Sequence, residues 1–163
     1  MYTKLVDRVA DMLEDSLRYS EKKLGKAGAI MELLKKNDAN AHSYFRYWLA
    51  KQVGIYLGET SEHVLEVFIY PEMLVEEISA TLPLTLIVYV EVYTAALESI
   101  VDALQNALLA EYQTMFSPSA DGLSFILNIY FVDKDDFLRR KGLSAAIGSL
   151  HTPAIRVWNR FSD

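Results

Sequence analysis

LPLTLIVYVEVYTAALESIVDALQNALLAEY, residues 82–112, is the stretch whose reading decides the fold. Residues 84–92 are apolar but for Thr85 and Glu91. A run that is apolar at successive rather than alternate positions is the pattern of a strand buried on both faces. Thr94 then stands where a helix N-cap belongs. Beyond it the spacing changes to three and four. Leu97, Ile100, Val101, Leu104, Leu108 and Met115 form one face of a helix over about 95–115, and Glu98, Asp102, Gln105 and Gln113 form the other. SPSADG, residues 117–122, is a loop by composition. Residues 123–132 are again almost wholly apolar and read as a further buried strand. A strand, a long helix and a strand predict a parallel pair with the helix lying over the sheet.

Upstream, His63, Leu65, Val67 and Ile69 alternate with Val64, Glu66, Phe68 and Tyr70, a strand over about 62–70 with one wetter face. Pro71 and EMLVEEISA, residues 72–80, suggest a short helix. Three helices precede that strand. The first occupies the opening 24 residues, with Leu5, Val6, Val9, Met12, Leu13 and Leu17 on its apolar side; the second covers about 27–36; the third covers about 39–57 and ends at Gly58. Downstream, Asp133 is placed to cap a helix beginning at Lys134, with Asp136 in the reciprocal position. Further helix over 143–150 and a fourth strand over 154–158 complete the chain. The expected fold is a single α/β (or α+β) domain over 1–163. It has a three- to four-stranded, mainly parallel sheet covered by helices, and a helical segment, 1–57, packed on the sheet-containing core, 62–163.

Composition narrows the function classes. Apolar residues make up 52% of the 163, which excludes a solvated, disordered chain. There is no cysteine, so disulfides, thiolate metal sites and a cysteine nucleophile are excluded. The opening MYTKLVDRVADMLED acquires acids at once and does not read as a signal peptide, and no apolar run approaches the roughly 18 residues that span a bilayer. The expectation is a cytoplasmic protein without a membrane segment. Charge is segregated along the chain. Residues 1–51 carry a net +3, residues 134–163 another +3, and residues 52–133 hold twelve acids and no lysine or arginine, for an overall −6. A middle segment without cations makes no phosphate contacts of its own through lysine or arginine, which argues against nucleic acid as a partner there. The simplest use of the basic flanks is to neutralise the acidic middle, within one chain or between two.

Two groups of residues are candidates for chemistry or contact. Parallel strands joined by a helix end on the same sheet edge, where ligands of open α/β sheets bind. Glu91 near the end of one strand, and Asp133, Asp135 and Asp136 after the end of the other, are therefore expected on a common rim. Carboxylates gathered there would suit Mg²⁺ or Mn²⁺, and phosphoryl or nucleotidyl transfer is the reaction class such a site serves. The same acids have a plainer account that the sequence favours. Asp133 and Asp136 suit a helix N-terminus, Asp135 is exposed in the first turn, and Glu91 reaches water because strands end at the surface. The order of elements resembles that of nucleotidyltransferase-like folds in layout alone. The Gly-Ser turn and alternate strand carboxylates of that family are missing, since the corresponding strand begins Leu82-Pro83-Leu84-Thr85.

The second group lies in HSYFRYWLAKQVGIY, residues 42–56, where Tyr44, Tyr47, Trp48 and Lys51 stand close together on the third helix. Aromatics at helical spacing are mostly packing, and a rim of tyrosines suits a subunit contact. His42, His63 and His151 show no metal-ligand spacing, and no glycine-rich phosphate loop or G-x-S-x-G turn occurs. Together these point to a non-catalytic intracellular assembly or adaptor protein that acts through protein–protein contacts, as a homodimer. A divalent-metal-dependent transferase at the acidic rim is the alternative.

Overall fold

The structure, a computed structural model, describes residues 2–25, 28–70, 83–139 and 154–161. Three helices come first: α1 (Tyr2–Leu24), α2 (Ile30–Lys35) and α3 (Ala39–Thr60). They are followed by β1 (Val64–Ile69), β2 (Leu84–Val90), α4 (Ala95–Phe116), β3 (Leu127–Asp133), α5 (Lys134–Leu138) and β4 (Ile155–Asn159). The expected helices over 72–80 and 143–150 lie outside the described residues.

The strands form one sheet in the order β3-β2-β1-β4. β2 and β3 are parallel and in unbroken register from Leu84↔Leu127 to Val90↔Asp133. β1 is antiparallel to both β2 and β4. The sheet is therefore mixed rather than mainly parallel, and the reason is one of length. A parallel crossover must carry the chain back along the strand it follows. The 22 residues of α4 span about 33 Å, enough to return past β2. A helix over 72–80 would span only about 13 Å, against about 20 Å for the six residues of β1.

One hydrophobic cluster runs from α1 through α3 and α4 to a single face of the sheet. It joins Met12 and Leu13 to Phe45, Leu49 and Val53, to Leu104, Leu108 and Phe116, and to Val67, Leu86 and Val88. The opposite sheet face carries a smaller cluster of Phe68, Ile87 and Val132 with Tyr70, Tyr89 and Ala154. The even alternation expected of β1 is broken by a register shift between Val64 and Glu66. That shift turns Val64 to the same core as Val67 and Ile69.

α3 is buried on more than one side, with Ala41, Phe45, Leu49, Ala50, Val53, Gly54 and Leu57 all in the interior. Asp38 caps its start by accepting from Ala41 N at 2.9 Å. Gly58 does not end it. The helix continues to Thr60, and Gly54 and Gly58 sit one turn apart beneath Trp158 of β4. A Cβ at Gly54 would lie 2.8 Å from Trp158 Cβ, and one at Gly58 would overlap Cζ2 and Cη2 of the indole. These glycines serve close approach, not a left-handed turn. Arg160 closes the same corner. Its guanidinium donates to the carbonyls of Gly58, Ser61 and Val64, each at 2.8 Å, and lies over the Trp158 ring. A cation on the last carbonyls of a helix also complements its dipole.

The start of β3 is set by α4. Gln105 Oε1 accepts from both Ile126 N and Leu127 N, so the strand begins at Leu127 rather than at 123. Gln113 Nε2 holds the preceding loop by donating to the carbonyls of Ala120 and Leu123.

Candidate functional site

The parallel pair brings the trailing residues of β2 and β3 together. Val90 is opposite Asp133, and the chain after each strand opens onto one cleft of about 670 Å³. Its lining is Glu91, Val92, Tyr93, Asp133, Lys134, Asp135 and Leu138. Glu91 is exposed, and its backbone N–H donates to His63 O, which fixes the end of β2 against the chain entering β1. Thr94 caps α4 through Leu97 N. The rim residues 91–93 thus hang between a strand end and a helix start that are both pinned.

The expected carboxylates are divided in what they do. Asp133 accepts from Asp136 N at 2.8 Å, which is the cap foreseen for α5. Asp135 pairs with Arg139 along α5 at 3.2 Å. Asp136 faces a second groove, of about 370 Å³, together with Tyr93, Ile129, Tyr130, Phe131 and Asp133. Glu91, Asp133 and Asp135 share the first cleft, but no group of three or more His, Asp or Glu side chains among the described residues is placed to hold a metal ion. Among those residues Glu91 and Asp133 have no ion-pair partner.

What sequence reasoning missed at this rim is its apolar component. Val92 is 50% exposed, Tyr93 45% and Leu138 73%. Tyr93 stands against Phe131 at 5.0 Å between ring centroids. Its hydroxyl is held above the usual tyrosine range, first by desolvation, then by its hydrogen bond to Glu98 and the charges of Glu98 and Asp102. The signal was present as apolar residues continuing past the last paired position of β2, but strand-end residues and core residues look alike in a sequence.

The aromatic group on α3 takes a different place. Tyr19 of α1 stacks on Trp48 with centroids 4.4 Å apart and also meets Tyr44 and Tyr47. Lys51 lies over Trp48 and Lys23 over Tyr19. Since the stack occupies the facing sides of the two rings, each lysine takes an outer side. Tyr44, Tyr47, Trp48 and Lys51 are all half-buried in this α1–α3 seam. The missing piece in the sequence was Tyr19, which lies on another helix.

His42 is wholly buried, and its Nε2–H donates to Leu34 O at 2.7 Å, tying α3 to the end of α2. Its Nδ1 is buried without a hydrogen-bond partner, so the ring is neutral. Burial is the main cause that pushes its pKa down to about 4, with Arg46 adding to the fall and the Leu34 bond and Asp38 opposing it. Burial likewise lifts the neighbouring Tyr112 hydroxyl to about 12. His42 is a structural residue of the helical layer. His63 precedes β1 and His151 lies outside the described residues. No described helix is long and apolar enough to cross a membrane.

Comparison with protein-family models, with curated proteins and with solved structures gives no match for this chain.

Proposed function

We propose that the protein is a non-catalytic assembly or adaptor protein whose docking site is the rim at the ends of β2 and β3, and that the rim takes a basic, partly apolar segment of a protein partner. One observation carries this reading: three large exposed apolar side chains, Val92, Tyr93 and Leu138, line the same open cleft as Glu91 and Asp133, which have no ion-pair partner among the described residues. Single exposed apolar residues are ordinary, but several lining one cleft beside carboxylates that form no ion pair are what an interaction surface needs. The Mg²⁺ or Mn²⁺ reading has less to support it. Asp133 is engaged as a helix cap and Asp135 with Arg139, and among the described residues the acids do not gather in threes.

The test is affinity capture with the wild-type chain beside Tyr93→Glu and Leu138→Asp. The expected result is one stoichiometric partner, retained by wild type, lost by both variants and weakened as salt rises. Retention of the partner by both variants sinks the assignment of the rim. A thermal shift with Mg²⁺ or Mn²⁺ that disappears in Asp133→Ala replaces it with the metal-dependent reading.

A further inference from the structure

Among the described residues β3 is an edge strand, and little keeps its edge apart from another: only its first residue is covered, where Gln105 Oε1 takes Leu127 N. Proteins blunt such edges with lysine, proline, bulges or a covering element. Leu127–Asp133 contains neither lysine nor proline, and its pairing with β2 runs seven residues with no register shift. The other edge differs: β4 meets β1 with a register shift and carries Arg156.

The outward side of β3 can be worked out from one bond. Leu84 N donates to Ile126 O at 2.7 Å, so the carbonyl of Ile126 faces β2. Successive residues of a strand direct their N–H and C=O groups to opposite sides. Asn128, Tyr130 and Val132 therefore face β2 with their backbone groups, and Ile129 and Phe131 face outward. No hydrogen bond to those outward groups exists among the described residues. Ile129, Tyr130 and Phe131 line the open groove of about 370 Å³ beside Tyr93. Tyr130 is 45% exposed, and its hydroxyl accepts from Asn128 Nδ2 on the same sheet face.

We infer that this edge pairs with β3 of a second copy, antiparallel, about a two-fold axis at Tyr130, to make one continuous eight-stranded sheet. The inference is independent of the docking function proposed for the rim. The strand is complementary to itself in that register. Ile129 comes opposite Phe131 of the other copy, an outward-facing and hence doubly hydrogen-bonded pair that joins an aromatic to a β-branched residue. Tyr130 meets its own equivalent in a close, non-hydrogen-bonded pair, and Asn128 meets Val132. The only charge of the strand, Asp133, comes opposite Leu127, whose N–H is already taken by Gln105, so the new ladder rests on the two Ile129–Phe131 pairs. The two Asp133 carboxylates stand six residues apart along the ladder, about 20 Å, beyond the reach of screened repulsion. A two-fold axis normal to the sheet keeps both helical layers on one side and sets the two rims at opposite ends of the joint. A foreign strand has no reason to meet this self-matching pattern, so a second copy is the occupant the edge fits.

The experiment measures mass in solution by light scattering and sedimentation from 1 to 100 μM. Wild type is expected at about twice the 18.5 kDa of the chain. Tyr130→Lys places two ammonium groups face to face at the axis and is expected to weaken the dimer at least 100-fold, with the far-UV circular dichroism of wild type retained because the side chain is exposed on the single chain. The chain has no cysteine, so cross-linking reports register directly. Tyr130→Cys is expected to form a covalent dimer on mild oxidation. Asn128→Cys, whose equivalents stand about 13 Å apart along the ladder, is not. A wild type that is monomeric at 100 μM overturns the inference. So does a dimer that survives Tyr130→Lys, or one in which Asn128→Cys cross-links as readily as Tyr130→Cys.

Discussion

Replacing Gly58 by alanine probes the corner where α3, β1 and β4 meet. In an exposed helix interior Gly→Ala stabilises by about 1 kcal/mol through propensity. At Gly58 the added methyl would overlap Cζ2 and Cη2 of Trp158 and approach Cε2 at 2.9 Å, so the indole must move aside. Overpacking of this kind costs about 1–3 kcal/mol. The displaced ring also leaves Arg160, whose guanidinium lies 5.2 Å from its centroid, and forfeits about 0.5–1 kcal/mol of cation–π attraction. With the propensity gain set against these losses, the net is a destabilisation of about 2 kcal/mol. Urea unfolding followed by far-UV circular dichroism measures it. The decisive comparison is a double-mutant cycle with Trp158→Leu. If the collision is the cause, Gly58→Ala costs little once the indole is gone, and the coupling exceeds about 1 kcal/mol. Were Gly58 a helix-ending residue, the alanine would cost the same with or without Trp158. Additive costs, or a Gly58→Ala protein as stable as wild type, would refute the close-approach explanation.

Two other perturbations have signs fixed by the structure. His42 has a folded pKa of about 4 against 6.5 in the unfolded chain, so between those values the unfolded state binds the extra proton and stability falls as pH falls, by about 1.4 kcal/mol per unit and about 3 kcal/mol in all. Unfolding free energies of wild type and His42→Gln across pH 7 to 4 should differ in slope by that amount, and parallel curves would mean that the imidazole is not held neutral. Arg160→Ala removes three charge-assisted bonds to the carbonyls of Gly58, Ser61 and Val64 and is expected to lower stability by about 2 kcal/mol. Arg160→Lys should recover only part of this, since an ammonium lacks the planar fork that spans three carbonyls; full recovery would show that charge alone matters there.

The legible parts of the fold were those whose cause is local. Thr94 and Asp133 read as N-caps because a side-chain oxygen needs only the backbone N–H two or three residues ahead, and each makes such a bond. The β2–α4–β3 unit was legible because α4 is long enough to force a parallel return. What lay beyond the sequence was set by partners distant along the chain. Gly58 read as a stop because the indole that requires it is 100 positions away, and the aromatics of α3 read as an outer stripe because Tyr19 belongs to α1. The start of β3 depends on Gln105, a side chain with no strand signal of its own. The common rim was foreseen from chain direction, but its apolar half was not. Exposure of Val92, Tyr93 and Leu138 follows from where pairing stops, and hydropathy alone does not mark that point.

The segregated charge now has a spatial meaning. Arg8 of α1 pairs with Glu59 at the end of α3, and Arg156 of β4 pairs with Glu66 of β1, so among the described residues each basic flank makes one ion pair with the acidic middle. The remaining ion pairs among the described residues are local, within α1 and around α2 and α5. Both long-range pairs sit on the α3–β1–β4 side of the sheet, remote in strand order from β3. The carboxylates of Glu91 and Asp133, at the ends of β2 and β3, are among the acids of the middle segment that form no ion pair among the described residues, although Lys134 lines the same cleft. Surface pairs contribute little stability, so this distribution is not explained by folding energy. It leaves two carboxylates without an ion-pair partner among the described residues beside exposed apolar side chains, and the capture experiment with Tyr93→Glu and Leu138→Asp tests whether a basic, partly apolar segment docks there.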